Sequence, residues 1–254
     1  MRTRIRIKAL LSTARLQHSA AYRMPNWSAM GQLALLERPM YTEAAAARLL
    51  RLAPATLHYW LEGGKQRSKT YKPVIREQAT GSKQVTWAEF VEAGLLRQYR
   101  RDHNVPMVEL RAFIDSLRQR LGVPYPLAHA LPYVSGRQLV IEAQEASNVG
   151  ADYALVAEAS GQYVLTAAAQ QFFDRVTWED DIAARWRADD RWDSPVVVDP
   201  DVRFGAPSVG GISTEILREQ ALSGEDEADL AKTYGITLAQ VQWALSYELA
   251  NEAA

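Results

Sequence analysis

The stretch Thr42–Gly64, TEAAAARLLRLAPATLHYWLEGG, holds two short amphipathic runs separated by a break that a proline closes. Thr42 carries the oxygen of an N-cap, and Ala45, Ala46, Leu49 and Leu50 fall on one face of the helix it opens. Small alanines on that face let a second helix approach closely. Pro54 suits the first turn of that second helix, Leu57, Trp60 and Leu61 recur at helical spacing, and Gly63 and Gly64 stop it. Thr56, His58 and Tyr59 are left pointing outward. An apolar back with a hydrogen-bonding front is what a recognition helix needs, although an ordinary helical hairpin has the same back.

The chain of 254 residues, 48% hydrophobic, is long enough for one large or two small domains. It has no cysteine, which excludes disulfides and thiolate metal sites. Arg2, Arg4, Arg6 and Lys8 precede an apolar run too short for a signal segment or a membrane span, so the expectation is a cytoplasmic protein without membrane contact. The net charge of −1 conceals a division. Residues 1–140 carry 22 Lys+Arg against 9 Asp+Glu, a net of +13, and residues 141–254 carry 7 against 21, a net of −14. The first half suits a polyanion; the second would repel one and suits a protein partner.

Between Gly63 and Gln84 lie Lys65, Arg67, Lys69, Lys72, Arg76 and Lys83, opposed by Glu77, with Tyr71 among them. Such a segment reads as a phosphate-contacting wing, or as a solvated loop. Lys65, Arg67, Lys69, Lys72 and Arg76 are the candidate phosphate contacts, and Thr56, His58 and Tyr59 the candidate base contacts. Thr86–Glu89 forms a capping box that opens a helix with Phe90, Val91, Leu95 and Leu96. A helix pair, a basic wing and a capped helix make a winged helix-turn-helix. A further helix is expected over 106–121, too short to supply a long coiled coil.

The middle gives weaker signals. The segments around Leu139–Glu142 and Tyr163–Thr166 read as short strands of a small sheet. Glu179, Asp180, Asp181, Asp189, Asp190 and Asp193, beside Trp178, Trp186 and Trp192, read as a solvated acidic linker with docking tryptophans, in preference to a cation site. In the tail, helices are expected over 214–222, 225–234 and from Thr237 onward, the last with Leu238, Val241, Ala244 and Leu245 inward. Glu225, Asp226, Glu227 and Asp229 make this unit repel phosphates, so they are candidate protein contacts. The four histidines are scattered, and neither a nucleophile elbow nor a phosphate-loop lysine is present. No enzyme, metal or cofactor is expected.

Two resemblances rest on these residues. Thr42–Arg101, with LAPATLHYWLEGG, the wing and VTWAEFVEAGLL, looks like the DNA-binding domain of the MerR-like winged-helix family. Residues 196–252, with Asp201–Pro207, Thr214, Gly224, DLAKTYGIT and QVQWALSYE, are similar to a small bacterial domain treated as antitoxin-like; Gly210-Gly211-Ile212 stands where that family commonly has Gly-Thr-Arg. Together the chain resembles VapB-type antitoxins of bacterial type II toxin–antitoxin systems. The resemblance implies binding and neutralisation of a cognate, PIN-like ribonuclease toxin, repression through operator DNA, and assembly as a homo-oligomer or toxin–antitoxin hetero-oligomer. The alternatives are a stand-alone MerR-like ligand-sensing regulator, with residues 123–195 as sensor, and a pure interaction scaffold. The expected class is mainly α with small β elements: a basic arm over 1–40 that need not be ordered, a winged helix-turn-helix over 41–122, a small α+β connection over 123–195 with a central sheet, and a three-helix, helix-turn-helix-like unit over 196–254.

Overall fold

A computed structural model describes residues 27–66, 68–103, 107–147, 154–159 and 162–252. The chain is mainly α with small sheets. Helix α1 (Trp27–Leu36) lies within the segment expected to be an arm, and Leu36 is buried. Strand β1 (Pro39–Thr42) pairs antiparallel with β4 (Gln84–Thr86), bracketing helix α2 (Glu43–Leu49), helix α3 (Pro54–Glu62) and the hairpin of β2 (Gly64–Gln66) and β3 (Lys69–Tyr71). Thr42 caps α2 by accepting from the Ala45 amide, and Pro54 starts α3. Gly63, at φ 72°, ends α3 where a Cβ would fall onto the Tyr71 carbonyl. Only glycine lets the hairpin turn back so tightly.

Helix α4 (Trp87–His103) packs against α1, α3, β4 and elements from the second half of the chain. Its capping box closes as expected: the Thr86 amide donates to Glu89 Oε2 at 2.9 Å, and the Glu89 amide to Thr86 Oγ1 at 3.3 Å. Trp87 and Phe90 stack with ring centroids 5.6 Å apart, and Phe90 meets Trp186 edge-on at 5.9 Å. At Gly94 the Trp186 ring occupies the space of a Cβ, so α4 sits directly on the sheet behind it. Helix α5 (Met107–Leu121) buries Leu110, Phe113, Ile114, Leu117 and Leu121 in the same core, as its spacing predicts.

The sequence reading fails in three places around that core. Leu139–Glu142 belongs to helix α7 (Arg137–Ala146), which follows the short helix α6 (Leu131–Val134). Val140, Ala143 and Gln144 face inward, and this helical period outweighs the β propensity of a short apolar run. Gln144 then takes the Leu155 amide at 2.7 Å and donates to the Val156 carbonyl at 3.0 Å. This anchors the hairpin of β5 (Val156–Ala159) and β6 (Gln162–Leu165), the second of which matches the expected strand.

The acidic "linker" forms the edge strand of a sheet and the strand beside it. After α8 (Ala167–Arg175), β7 (Val176–Glu179) and β8 (Ile182–Arg187) form a hairpin whose two-residue turn is Asp180–Asp181, at φ 49° and 72°. Both turn residues are left-handed, as a twisted hairpin requires, and aspartate tolerates this better than most residues. The meander continues through β9 (Val197–Val198), β10 (Ser208–Val209) and β11 (Ile212–Ser213), with Gly210 and Gly211 at the second turn. The five-stranded antiparallel sheet therefore runs across residue 195, where a domain boundary was expected.

Three helices close the chain, at the expected places: α9 (Thr214–Leu222), α10 (Glu227–Tyr234) and α11 (Leu238–Glu252). Asp226 caps α10, Gly235 ends it in the left-handed conformation, and Thr237 and Gln240 cap α11 reciprocally. Val241 and Ala244 are inward, but Leu238 is exposed in the first turn of α11. Among the described residues no helix is long and apolar enough to cross a membrane, and no group of His, Asp and Glu is placed to hold a metal ion.

Candidate functional site

The outward side of α3 and the hairpin after it form one continuous surface. Leu57, Trp60 and Leu61 are buried against the core, which leaves Thr56, His58 and Tyr59 half-buried on the opposite side. Tyr59 leans on Tyr71 of the hairpin, with ring centroids 6.5 Å apart and edges in contact. His58 is partly committed: Nδ1 lies 3.1 Å from both carboxylate oxygens of Glu43. With its side chain 44% exposed, Nε2 is the ring atom left to meet a ligand. Lys83 Nζ completes the cluster, 3.3 Å from Glu43 and 3.4 Å from His58 Nδ1. Sequence reasoning missed Glu43, the first residue of α2, which meets α3 only once the two helices pack.

The candidate phosphate contacts divide. Lys65, Lys69 and Lys72 are exposed along the hairpin. Arg67 lies outside the described residues. Arg76 is a correction: it is 5% exposed and turned inward. Its Nε donates to Glu89 Oε1 at 2.7 Å, Nη2 to Glu89 Oε2 at 3.1 Å and to the Gln84 carbonyl at 2.7 Å, and Nη1 to Thr80 Oγ1 at 2.8 Å and to Glu62. A guanidinium so engaged has no reach to a phosphate.

Burial would raise the Glu62 carboxyl, but the Gly81 amide at 2.8 Å, Thr80 and Arg76 together hold it below its ordinary value. Burial likewise opposes the charge on Arg76, and Glu89 and Glu62 outweigh it. Arg76 thus folds the loop between hairpin and β4 against α4. From the other side, Arg111 of α5 donates to the Lys72 and Pro73 carbonyls at 3.0 and 3.1 Å and lies over Tyr71 at 5.9 Å. The lysines are therefore mounted on a braced hairpin.

The acidic candidates cluster where α9 turns into α10. Glu225 is exposed; Asp226 spends its carboxylate on the Ala228 amide at 2.8 Å; Glu227 accepts from Gln242 at 3.2 Å; Asp229 pairs with Lys232 at 2.9 Å. Glu225 and Asp229 are thus the acids whose replacement leaves helix caps and packing intact. A groove of about 430 Å³ lies nearby, between α2, α9, α11 and the turn before β10. At its rim Phe204 is 94% exposed, held at φ 54° between Arg203 at 50° and Gly205 at 74°. Tyr41 pins this turn by donating to the Gly205 carbonyl at 2.8 Å. A bulky residue in the left-handed region with its ring in water is strained, and such strain concentrates at functional positions. Its sequence signal is limited to Gly205-Ala206-Pro207, which marks a turn but not an exposed ring.

No family model matches the chain. Its sequence is 29% identical to the Mycobacterium tuberculosis protein named "Putative antitoxin VapB45", over 82% of this chain and 92% of that protein. The crystal structure of Rv2018 from the same organism superposes with a TM-score of 0.67 at 27% identity, spanning 83% of this chain and 99% of that one. Identity reaches 31% with the uncharacterized protein Rv2308 of M. tuberculosis, over 86% of this chain and 93% of the relative. Shared nearly end to end at that level, the sequence places this chain in the family of Rv2308.

Proposed function

We propose that the protein is an antitoxin that binds and neutralises a ribonuclease toxin of PIN-like type through its C-terminal unit, and binds operator DNA through α3 and the β2–β3 hairpin. What supports the reading above all is the segregation of exposed charge. Lys65, Lys69, Lys72 and Lys83 crowd one hairpin and its flank, whereas Glu225, Asp226 and Asp229 stand exposed on the α9–α11 unit with Lys232 as the nearby cation. One unit suits phosphates and the other a basic protein face. The likeness to a protein named as an antitoxin agrees with this division.

In this reading α3 acts as the reader of a winged helix-turn-helix, and the hairpin as its wing. Thr56 and Tyr59 face base edges, His58 offers Nε2, and the lysines fix register on the backbone. Replacing Lys65, Lys69 and Lys72 together by alanine is expected to weaken binding to every DNA sequence alike, and to lower the slope of log affinity against log salt by about 2–3. Thr56→Ala or Tyr59→Ala is expected to change preference among sequences by about 1–3 kcal/mol and to leave the slope in place. Titration of upstream and unrelated duplexes at several salt concentrations separates the two classes; equal losses from both would end the division.

The C-terminal unit takes the toxin. Phe204 has the properties of an interface anchor, an aromatic ring already ordered and exposed, and the exposed acids between α9 and α10 supply complementarity to a basic RNA-binding face. Co-expression with the adjacent open reading frame, affinity capture and a ribonuclease assay with and without this chain is the test of the function. A silenced nuclease in a stable complex is expected, and a free or still active nuclease refutes it. Phe204→Ala is expected to weaken the complex by about 2 kcal/mol. Glu225→Lys with Asp229→Lys is expected to weaken it at low salt and to reduce its sensitivity to salt; a complex indifferent to both leaves the C-terminal unit without its role.

A further inference from the structure

On another side of the molecule, a cavity of about 490 Å³ opens between α4, α8 and the loop after β8. This is the size of a small-molecule site, for which about 300–1,000 Å³ is usual. Its floor is crowded with guanidiniums. Arg175 approaches Asp190 at 2.7 Å, Arg97 at 3.7 Å and, from the α2–α3 turn behind, Arg51 at 3.8 Å, so three cations converge on one carboxylate.

Arg187 adds a fourth cation. It donates to the backbone carbonyls of Trp192 at 2.7 Å and Asp174 at 3.3 Å, and its buried Nε has no hydrogen-bond partner. Its charge is thus spent on neutral acceptors. Arg175 registers the crowding: burial and the repulsion of Arg97 and Arg187 push its guanidinium below the ordinary arginine value despite Asp190.

The rim supplies a second kind of contact. Trp192 is 82% exposed beside this floor, and its carbonyl is fixed by Arg187. An exposed indole next to an excess of guanidiniums matches a ligand with a flat aromatic body and an anionic end. Asp174 and Asp193 also line the rim, which disfavours a bare polyanion and leaves room for the donor groups of a base and sugar.

We propose that this cavity binds a nucleoside monophosphate, with the phosphate on the guanidiniums of Arg97 and Arg187, Arg175 being held behind them by the Arg187 and Ala188 carbonyls and Asp190, and the base stacked on Trp192. None of its lining residues lies on α3 or among Glu225–Asp229, so it stands whether or not the antitoxin reading does.

The test uses the full chain with adenosine and guanosine monophosphates, the parent nucleosides and inorganic phosphate, followed by tryptophan fluorescence and thermal shift. Saturable quenching by a monophosphate and none by the nucleoside is expected. Arg187→Gln is expected to weaken binding about tenfold or more, and Arg187→Lys less, with an unchanged circular dichroism spectrum. Trp192→Ala is expected to abolish the quench and weaken the nucleotide about tenfold while sparing inorganic phosphate. Equal affinity for nucleotide and inorganic phosphate, or indifference to Trp192→Ala, overturns the assignment of the base. Tighter binding of a 5′-phosphorylated oligoribonucleotide than of the mononucleotide overturns the assignment to a free nucleotide, and absence of saturable binding overturns the site.

Discussion

Arg76→Met is expected to destabilise the protein by about 3–5 kcal/mol, the usual cost of removing one partner from a buried ion pair. The replacement fills similar space, so the loss is electrostatic rather than a cavity. Glu62 and Glu89 flank Arg76 with side chains 9% and 4% exposed. Without the guanidinium both become buried carboxylates lacking their cation, and the loop carrying Thr80, Ser82 and Gln84 loses its organising donor. Their folded-state pKa values then rise above the unfolded ones. Stability conferred by a raised carboxyl is present below the unfolded value and lost as pH rises, so the deficit of Arg76→Met should shrink in acid and be largest at neutral pH. Urea titrations at pH 5 and pH 8 measure this, and adding Glu62→Gln and Glu89→Gln should return part of the loss. A phosphate-contacting arginine on a solvated loop would behave oppositely, with full stability and weakened DNA binding.

That contrast marks where the sequence was legible and where it was not. The helix pair announces itself through local chemistry: Thr42 caps, Pro54 starts, Gly63 reverses, and each acts within a few residues of itself. The same holds for Asp226, Gly235 and the Thr237–Gln240 box in the last unit. Arg76 was opaque because its partners lie 14 and 13 residues away on opposite sides, and a cation among cations reads as surface until the fold brings both acids to it. Strand β8 was opaque for another reason. Ile182, Ala183, Ala184 and Trp186 are all buried, so no alternation of polar and apolar residues exposes a strand, and the flanking aspartates suggested solvent. The arginine cavity joins residues 97, 175, 187 and 190, with Arg51 behind Asp190, a set no local pattern links. Candidate contacts on α3 follow from helical spacing alone, but Glu43 beside His58 and Phe204 at the groove depend on tertiary packing and backbone strain.

Glu92→Gln is expected to stabilise the protein by up to about 3 kcal/mol above pH 7 and to leave it unchanged in acid. Glu92 is fully buried in the middle of α4; Oε1 accepts from the Leu127 amide at 3.0 Å and Oε2 has no partner. Burial pushes its carboxyl from the ordinary 4.5 up to about 7, against the pull of Arg118 and the Leu127 amide and with a further push from Glu89. The folded state therefore holds this proton more tightly than the unfolded chain does. Between pH 4.5 and 7 the native form binds more protons, and stability falls as pH rises through that window. Glutamine keeps the acceptor that Leu127 uses and never ionises, so it removes this dependence without emptying the site. Other acids pull the wild-type curve the opposite way, because Glu62, Asp189 and Asp190 are held below their ordinary values and favour the fold as pH rises. The difference between variant and wild type cancels those contributions. Urea unfolding of both proteins from pH 4.5 to 8 should give a difference that starts near zero and grows until about pH 7, whereas a flat difference would mean that Glu92 stays ionised in the core.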